Sequence, residues 1–454
     1  MAKLITFLGD TNLTPSENYY QGDGIKKTNY LADSLIDIFN KNIEKKSNIT
    51  EVLVFVTKEA REKNYESDSD NPKGRMVKAE SPSNEKLKQV IKSNKHFNGK
   101  IRAIDIEGDD KLDDKLDAYW RLFEKISENI DDGDEIVFDI TYSFRYIPMI
   151  TMLVIHYART VKTAKVTGIF YGKFIRGTED VPSKVDIINL NMMADLQDWI
   201  TSIYTLSNTG DARLMSEWLG TKHNENTKNS QNSKSLPEHR GIDEVAKIWS
   251  QLDFSIKIND STKRKKLAKD LIIEINKLNI EKLDGSYRLA FEAYNKQRKY
   301  IERMAGADQV LSDLATIQWN MDKKQYQPAV TVMNELTISV LIKCLDGDYR
   351  ENVKNSSRRD QVGKVIKMAV HENSNEGKEE IKLKDREIES IKKALNANKE
   401  LYKTIKESWN VRNFMNHAGY VDKAFEDLEE IKVIHKKFER YIKKLNEDMV
   451  SKFS

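Results

Sequence analysis

Two short stretches of this 454-residue chain carry side chains whose types and spacing could do chemistry. One is Trp409-Asn410-Val411-Arg412-Asn413-Phe414-Met415-Asn416-His417. Arg412 and His417 are five residues apart, about 140° round a regular helix, a poor arrangement for a shared metal ion. Asn413 and His417 are four apart and share a helical face. A histidine titrates near neutrality and can move a proton at a ribose 2′-hydroxyl or at the leaving oxygen. An arginine can hold the phosphate and stabilise the negative charge added to it. The pair therefore suits RNA cleavage by a route that needs no metal. The alternative is structural: Arg412 pairs with an acidic neighbour and His417 fills the edge of a bundle.

The other stretch is EIVFDITYSFRYIP. Asp139 closes an apolar run, and Thr141, Tyr142, Ser143 and Arg145 crowd a short turn before Pro148, which suits the first turn of a helix. Hydroxyls, an arginine and the N–H groups of a new helix together can receive an anion or a nucleotide. A purely structural turn would use the same residue types. Gly9-Asp10-Thr11-Asn12 follows the apolar run LITFL, but it lacks a full GxGxxG and an acid at the expected distance, so a dinucleotide cofactor is not expected. Thr57 closes VLVFVT before a helical start, where its hydroxyl can cap the helix or touch a ligand phosphate.

The elements that would position these residues divide the chain in two. Leu4–Leu8, Val52–Thr57, Ile101–Ile106, Ile136–Ile140 and Val166–Tyr171 are short apolar runs, and Val185–Leu190 adds a sixth. Between them, Asn29–Asn40, Leu116–Ile130 and Pro148–Thr160 repeat apolar residues at helical spacing. Continuously apolar strands separated by helices predict a parallel sheet covered on both faces, a Rossmann-like architecture. Glu62–Pro82 reads as a surface insertion and Asn224–Pro237 as a flexible polar loop. From Asp195 onward the pattern is helical. Ile242–Leu252, Lys265–Leu278, Leu283–Met304, Pro328–Leu345, Gln361–Ala369, Glu379–Ala397, Leu401–His417 and Val421–Leu445 are the expected helices, and a bundle would bury their stripes. Lys378–Lys399, rich in charge, reads as a solvated helix face.

Composition narrows the function classes. The 75 basic and 72 acidic residues leave a formal charge of only +3, which does not announce a general nucleic-acid binder. The single cysteine, Cys344, excludes an intrachain disulfide and a thiolate metal cluster and fits a reducing, cytoplasmic setting. Seven dispersed histidines without an HExxH pair make a dedicated zinc site unexpected. No window reaches 18 uninterrupted apolar residues and MAKLITFLGD reads as a first strand, so neither a membrane span nor a signal peptide is expected.

Taken together, the two stretches resemble a known family. The front strand with LGD, the VFVTKEA segment and DITYSFRYIP look like a CRISPR-associated Rossmann-fold (CARF) sensor domain. Asp139, Thr141 and Arg145 match that family's fourth element, while Tyr142 and Ser143 stand where it usually carries His and Gly. Arg412, Asn413 and His417 match the catalytic pattern of a HEPN ribonuclease domain. Helix Pro328–Leu345, with Asn334 and Glu335, sits where that domain has its first core helices. The chain thus resembles the CARF–HEPN accessory ribonucleases of type III CRISPR defence.

The resemblance implies a CARF domain over 1–190, a helical connector over 191–325 and a HEPN domain over 326–454. It implies a homodimer with a composite RNA site and a metal-independent cut in single-stranded RNA that leaves 2′,3′-cyclic phosphate ends. It also implies a cyclic oligoadenylate activator: cyclic tetraadenylate first, cyclic hexaadenylate as runner-up, made by a type III effector complex. Gly9, Asp10, Thr11, Thr57, Thr141, Ser143 and Arg145 would meet the activator. Two other classes stay open: a ligand-binding transcriptional regulator, though no basic recognition helix is evident, and a non-catalytic interaction protein.

Overall fold

The structure is a computed structural model that describes residues 2–9, 16–19, 25–28, 30–41, 48–66, 86–107, 116–141, 146–175, 184–220, 241–283, 285–346, 355–370, 381–396, 399–416 and 428–453. The chain divides into two units, Met1–Gln197 and Asp198–Ser454.

The first unit is built on strands β1 (Ala2–Leu8), β2 (Ser16–Tyr19), β3 (Ile25–Thr28), β4 (Ile49–Val56), β5 (Lys100–Asp105), β6 (Glu135–Asp139), β7 (Lys165–Ile175) and β8 (Lys184–Asn189). They form one sheet in the order β3-β2-β8-β7-β6-β1-β4-β5. Apolar residues fill both sides of the central strands because both sides are covered. In β4, Val52, Val54 and Val56 join Leu35 and Ile36 of helix α1 (Leu31–Asn40) and Ile91 of helix α2 (Leu87–Ser93). Leu53 and Phe55 join Ile126 of helix α3 (Leu116–Ser127) and Ile150 and Val154 of helix α4 (Ile147–Val161) on the other side. Alternate residues thus serve opposite cores, which is why the strand reads as an unbroken apolar run.

The expected all-parallel sheet is corrected at one edge. Strands β6, β1, β4 and β5 run parallel, as do β6 and β7, but β7 and β8 pair antiparallel, as do β2 and β3. SENY and IKKT, the sequences of β2 and β3, carry no apolar alternation, so nothing in them announced strands. Of the expected insertion Glu62–Pro82, the part through Tyr65 belongs to a π-helical turn (Arg61–Tyr65), with Tyr65 buried; residues 67–85 lie outside the described residues.

Every described element of the second unit is helical. Helix α5 (Met192–Thr209) leads into it, followed by a helix at 213–220 and by α6 (Ile242–Lys257), α7 (Ser261–Lys277), α8 (Gly285–Ala305), α9 (Gln309–Asp322), α10 (Tyr326–Asp346), α11 (Ser356–Val370), α12 (Asp385–Asn396), α13 (Lys399–Asn416) and α14 (Leu428–Phe453). Asn224–Pro237 lies outside the described residues. Two apolar cores result. Trp249, Leu271, Tyr287, Phe291 and Trp319 belong to one; Met333, Leu336, Val365, Ile405, Trp409, Ile431 and Phe438 belong to the other. Helix α9 serves both, Ala315 and Trp319 facing the first and Leu314 and Ile317 the second. Burial on two sides blurs the single stripe that marks a surface helix, and α9, like α5, is not among the helices expected from periodicity. Helix α12, in the charged run, is not wholly solvated: Ile391 and Leu395 are buried.

Helix α10 is the centre of the second core. Its stretch Tyr326–Leu345 is long and apolar enough to cross a membrane by length and composition, although polar residues such as Asn334 and Glu335 interrupt its apolar run. Here 67% of its most apolar window is buried, packed against α9, α11, α12, α13 and α14. A helix apolar on most sides is explained by that surrounding bundle.

Candidate functional site

At the carboxyl edge of the sheet, register sets the geometry. Thr6 lies opposite Asp139, and Leu8 opposite Val56. Gly9, Thr57 and the Asp139–Thr141 turn therefore emerge side by side from β1, β4 and β6, with neighbouring strands about 4.8 Å apart. The chain adds β4 and β5 on one side of β1 and β6 and β7 on the other. The gap between β1 and β6 is thus a topological switch point, where doubly wound sheets receive ligands.

The polar groups at this edge hold one another. Asp139 is 1% exposed; one carboxylate oxygen accepts from Thr6 Oγ1 at 2.8 Å and the other from the Thr141 amide at 3.0 Å. Burial pushes the Asp139 carboxyl up, and these hydrogen bonds oppose the shift. Thr141 Oγ1 in turn accepts from the Gly172 amide at 2.9 Å, tying β6 to β7. A Cβ on Gly172 would stand 3.1 Å from Thr141 Cγ2, so the glycine permits this approach. Thr57 is buried, and its hydroxyl accepts from the Ala60 amide at 3.2 Å as an N-cap. The Gly9 carbonyl accepts from Asn64 Nδ2 at 2.7 Å, and Asn64's own carbonyl accepts from the Tyr30 hydroxyl at 3.0 Å. Sequence reading did not find Asn64; a polar residue just past an apolar strand carries no distinctive signal. Of the seven residues expected here, Gly9, Thr57 and Thr141 share the edge, while Asp10, Thr11, Ser143 and Arg145 lie outside the described residues.

In the helical unit, Arg412 and Asn413 are half-buried in the closing turn of α13. His417 lies outside the described residues, so its geometry toward them is not described. Arg412 Nε is buried without a hydrogen-bond partner among the described residues. One turn earlier, Ser408 Oγ donates to Asn334 Oδ1 of α10 at 3.0 Å. Nearer the end of α13, Gln327 Nε2 donates to Asn416 Oδ1 at 3.4 Å, so the two helices run antiparallel. Glu335, next to Asn334, faces elsewhere and pairs with Arg359 at 2.6 Å. His435 on α14 is buried; burial pushes its pKa down while Glu439 and Asp322 act the other way. Among the described residues, no group of three or more His, Cys, Asp or Glu could hold a metal ion.

A doubly wound domain with a ligand-type edge at its switch point, followed by an all-helical unit, is the class these observations define. Residues 3–174 match the CARF domain of the CRISPR system endoribonuclease Csx1. The chain is 26% identical over 190 residues to CRISPR-associated protein MJ1674 of Methanocaldococcus jannaschii; the match covers 40% of this chain but only 29% of that protein's length. A structure of Enterococcus italicus Csm6 bound to cyclic hexa-2′-fluoro-hexa-dAMP is 13% identical, covers 99% of this chain and 94% of its own, and superposes with a TM-score of 0.42.

Proposed function

We propose that this chain is an endoribonuclease switched on by a cyclic oligoadenylate bound at the first unit. The observation that carries the reading is a Csx1-type CARF domain on the same chain as Arg412 and Asn413 in the last turn of a bundled helix, directly before His417. In this reading the activator is cyclic tetraadenylate, with cyclic hexaadenylate as runner-up, supplied by a type III effector complex. It meets Gly9, Asp10, Thr11, Thr57, Thr141, Ser143 and Arg145. Residues 326–454 form the HEPN-type catalytic domain, with 191–325 as connector.

The cut is an internal transfer. The 2′-oxygen of single-stranded RNA attacks the neighbouring phosphorus, and the bond from phosphorus to the 5′-oxygen breaks. The 2′-proton leaves and the 5′-oxygen gains one, so the products are a 2′,3′-cyclic phosphate and a 5′-hydroxyl. His417 moves protons in this step. Arg412 holds the phosphate and its added charge, and Asn413 orients His417 or the substrate. No metal takes part in this route. DNA lacks the nucleophilic hydroxyl and is not cut.

The working unit in this reading is a cytoplasmic homodimer that joins two Arg412/His417 pairs in one composite site. Met149 (72% exposed) and Leu153 (62% exposed), one turn apart on α4, with exposed Trp120 on α3, give the first unit apolar surface that suits a second copy. Sedimentation is expected at about twice the 52.6 kDa chain mass. A persistent monomer with and without activator contradicts the composite site.

The test of the activity uses binding and product chemistry together. Wild type with cyclic tetraadenylate and labelled RNA in EDTA is expected to leave cyclic phosphate ends. Arg145→Ala is expected to weaken activator binding far more than cleavage at saturating activator. Absence of cleavage with either cyclic ring, by protein that binds the ring, would favour the interaction-protein alternative.

A further inference from the structure

The interface between α10 and α13 is apolar almost throughout. Val330, Met333 and Leu336 on one side and Ile405, Trp409 and Val411 on the other belong to a single buried core. Thr337 and Thr404 are buried in these helices too, but each hydroxyl bonds back to its own helix, to the carbonyls of Met333 and Glu400. Asn334 and Ser408 differ. Asn334 is 1% exposed and Ser408 is fully buried, and their side chains bond across the helix pair at 3.0 Å.

The pair is a poor device for stability. Asn334 Nδ2 has no hydrogen-bond partner among the described residues, and a buried donor left unpaired costs folding free energy. Ser408 has one hydroxyl hydrogen and a second acceptor within reach, the Ile405 carbonyl at 2.9 Å. Apolar residues of similar shape would fill the same space without that cost. The Gln327–Asn416 bond at the end of the pair is exposed, so Asn334 and Ser408 form the buried polar pair, and what such a pair in an apolar helix interface supplies is register: any other alignment leaves both groups buried and unmatched.

We propose that Asn334 and Ser408 are positioning residues that fix the height of the Arg412 helix against α10. The proposal rests on the ribonuclease reading above. Arg412 lies one turn beyond Ser408 on the same face. Asn413 and Asn416 follow in the same turn, and His417 comes directly after it. A slip of α13 by one turn keeps an apolar interface but moves Arg412 by about 5.4 Å. A displacement of that size removes the arginine from a phosphate it must hold closely, and misplacement of about 1 Å already costs rate. Asn334 and Ser408 therefore act through Arg412 and need not touch RNA.

The test is the double variant Asn334→Leu/Ser408→Ala, with Ser408→Ala and Ser408→Thr alongside. The double variant is expected to melt at or above the wild-type temperature, because both polar partners go together. Its kcat on single-stranded RNA at saturating cyclic tetraadenylate is expected to fall about tenfold or more. KM and activator affinity are expected to stay near wild type, the pattern of a lost transition-state alignment. A kcat near wild type in a folded double variant overturns the proposal, as does a loss of rate that merely follows a loss of melting temperature. If the double variant does not fold, the single variants decide. Ser408→Ala is expected to lose rate and Ser408→Thr, which keeps the hydroxyl, to retain it; equal rates overturn the proposal. Wild type and Arg412→Ala run in the same assay. Failure of wild type to cut RNA removes the ribonuclease reading and this proposal with it. Cutting by wild type, but not by Arg412→Ala, with full rate in the double variant removes this proposal alone.

Discussion

The carboxyl edge of the sheet and the α10–α13 helix pair treat their polar groups in opposite ways. At the sheet edge, Thr6, Asp139, Thr141 and Gly172 form a continuous chain of hydrogen bonds, Thr57 is spent on the backbone of its own loop, and Asn64 on the Gly9 carbonyl at the end of β1. At the helix pair, Arg412 Nε and Asn334 Nδ2 are buried with no partner among the described residues. A satisfied, continuous network makes a rigid rim. Buried groups left unmatched mark a place where stability has been given up for something else, and functional sites are where such local conflicts concentrate. The edge residues are thus expected to act chiefly on stability, and the helix-pair residues chiefly on rate.

Arg412→Lys is the largest expected departure on the helical side. It keeps the charge but removes the planar fork and Nε. Cleavage at saturating activator is expected to fall roughly 10²-fold with no matching change in melting temperature. A lysine variant that cuts normally would reduce Arg412 to a bundle-edge cation.

On the sheet side, Thr6→Val removes the donor to Asp139 and leaves a buried oxygen without its partner. A loss of about 1–3 kcal/mol is expected by denaturant unfolding. Cleavage at saturating activator is expected to be unchanged while the protein remains folded. If Thr6→Val instead lowers the rate without lowering stability, the proposed division between a rigid rim and a catalytic bundle fails.

Asp139 sharpens the same contrast through pH. Its folded carboxyl sits above the unfolded value of roughly 3.9. The folded chain therefore keeps a proton that the unfolded chain has already released. That contribution is fully present below the unfolded value and is lost as pH rises through the folded one. Asp139→Asn removes the titration, so its melting temperature is expected to depend less on pH than wild type above about pH 4. A steeper dependence in the variant would mean that the carboxyl is not held up by burial. Smallest is Thr57→Ala, which loses one N-cap at a cost of about 1 kcal/mol.

The sequence made some of this legible. Strands β1, β4 and β6 were visible because residues such as Val52–Val56 are buried on both faces and leave an unbroken apolar run. Strands β2 and β3 were invisible because a polar four-residue pairing needs only backbone groups. Helix α9 was hidden because two cores share it, so Trp319 and Ile317 point to different sides. Arg412 and Asn413 could be picked out by residue type and spacing on a predicted helix. The bond from Ser408 to Asn334 could not, since it joins residues far apart in the chain and depends on helix register, which side-chain periodicity alone leaves open. Asn334 still left a trace: a lone amide in the apolar run of α10.

His417 is the group proposed to move protons in the cut. The most direct measurement is the single-turnover rate on one labelled single-stranded RNA, in EDTA, for wild type and His417→Ala, each saturated with cyclic tetraadenylate. Wild type is expected to cut and His417→Ala to be at least roughly 10²-fold slower while binding the activator equally well. Cleavage by His417→Ala at the wild-type rate would contradict the assignment of this helical bundle as the ribonuclease site.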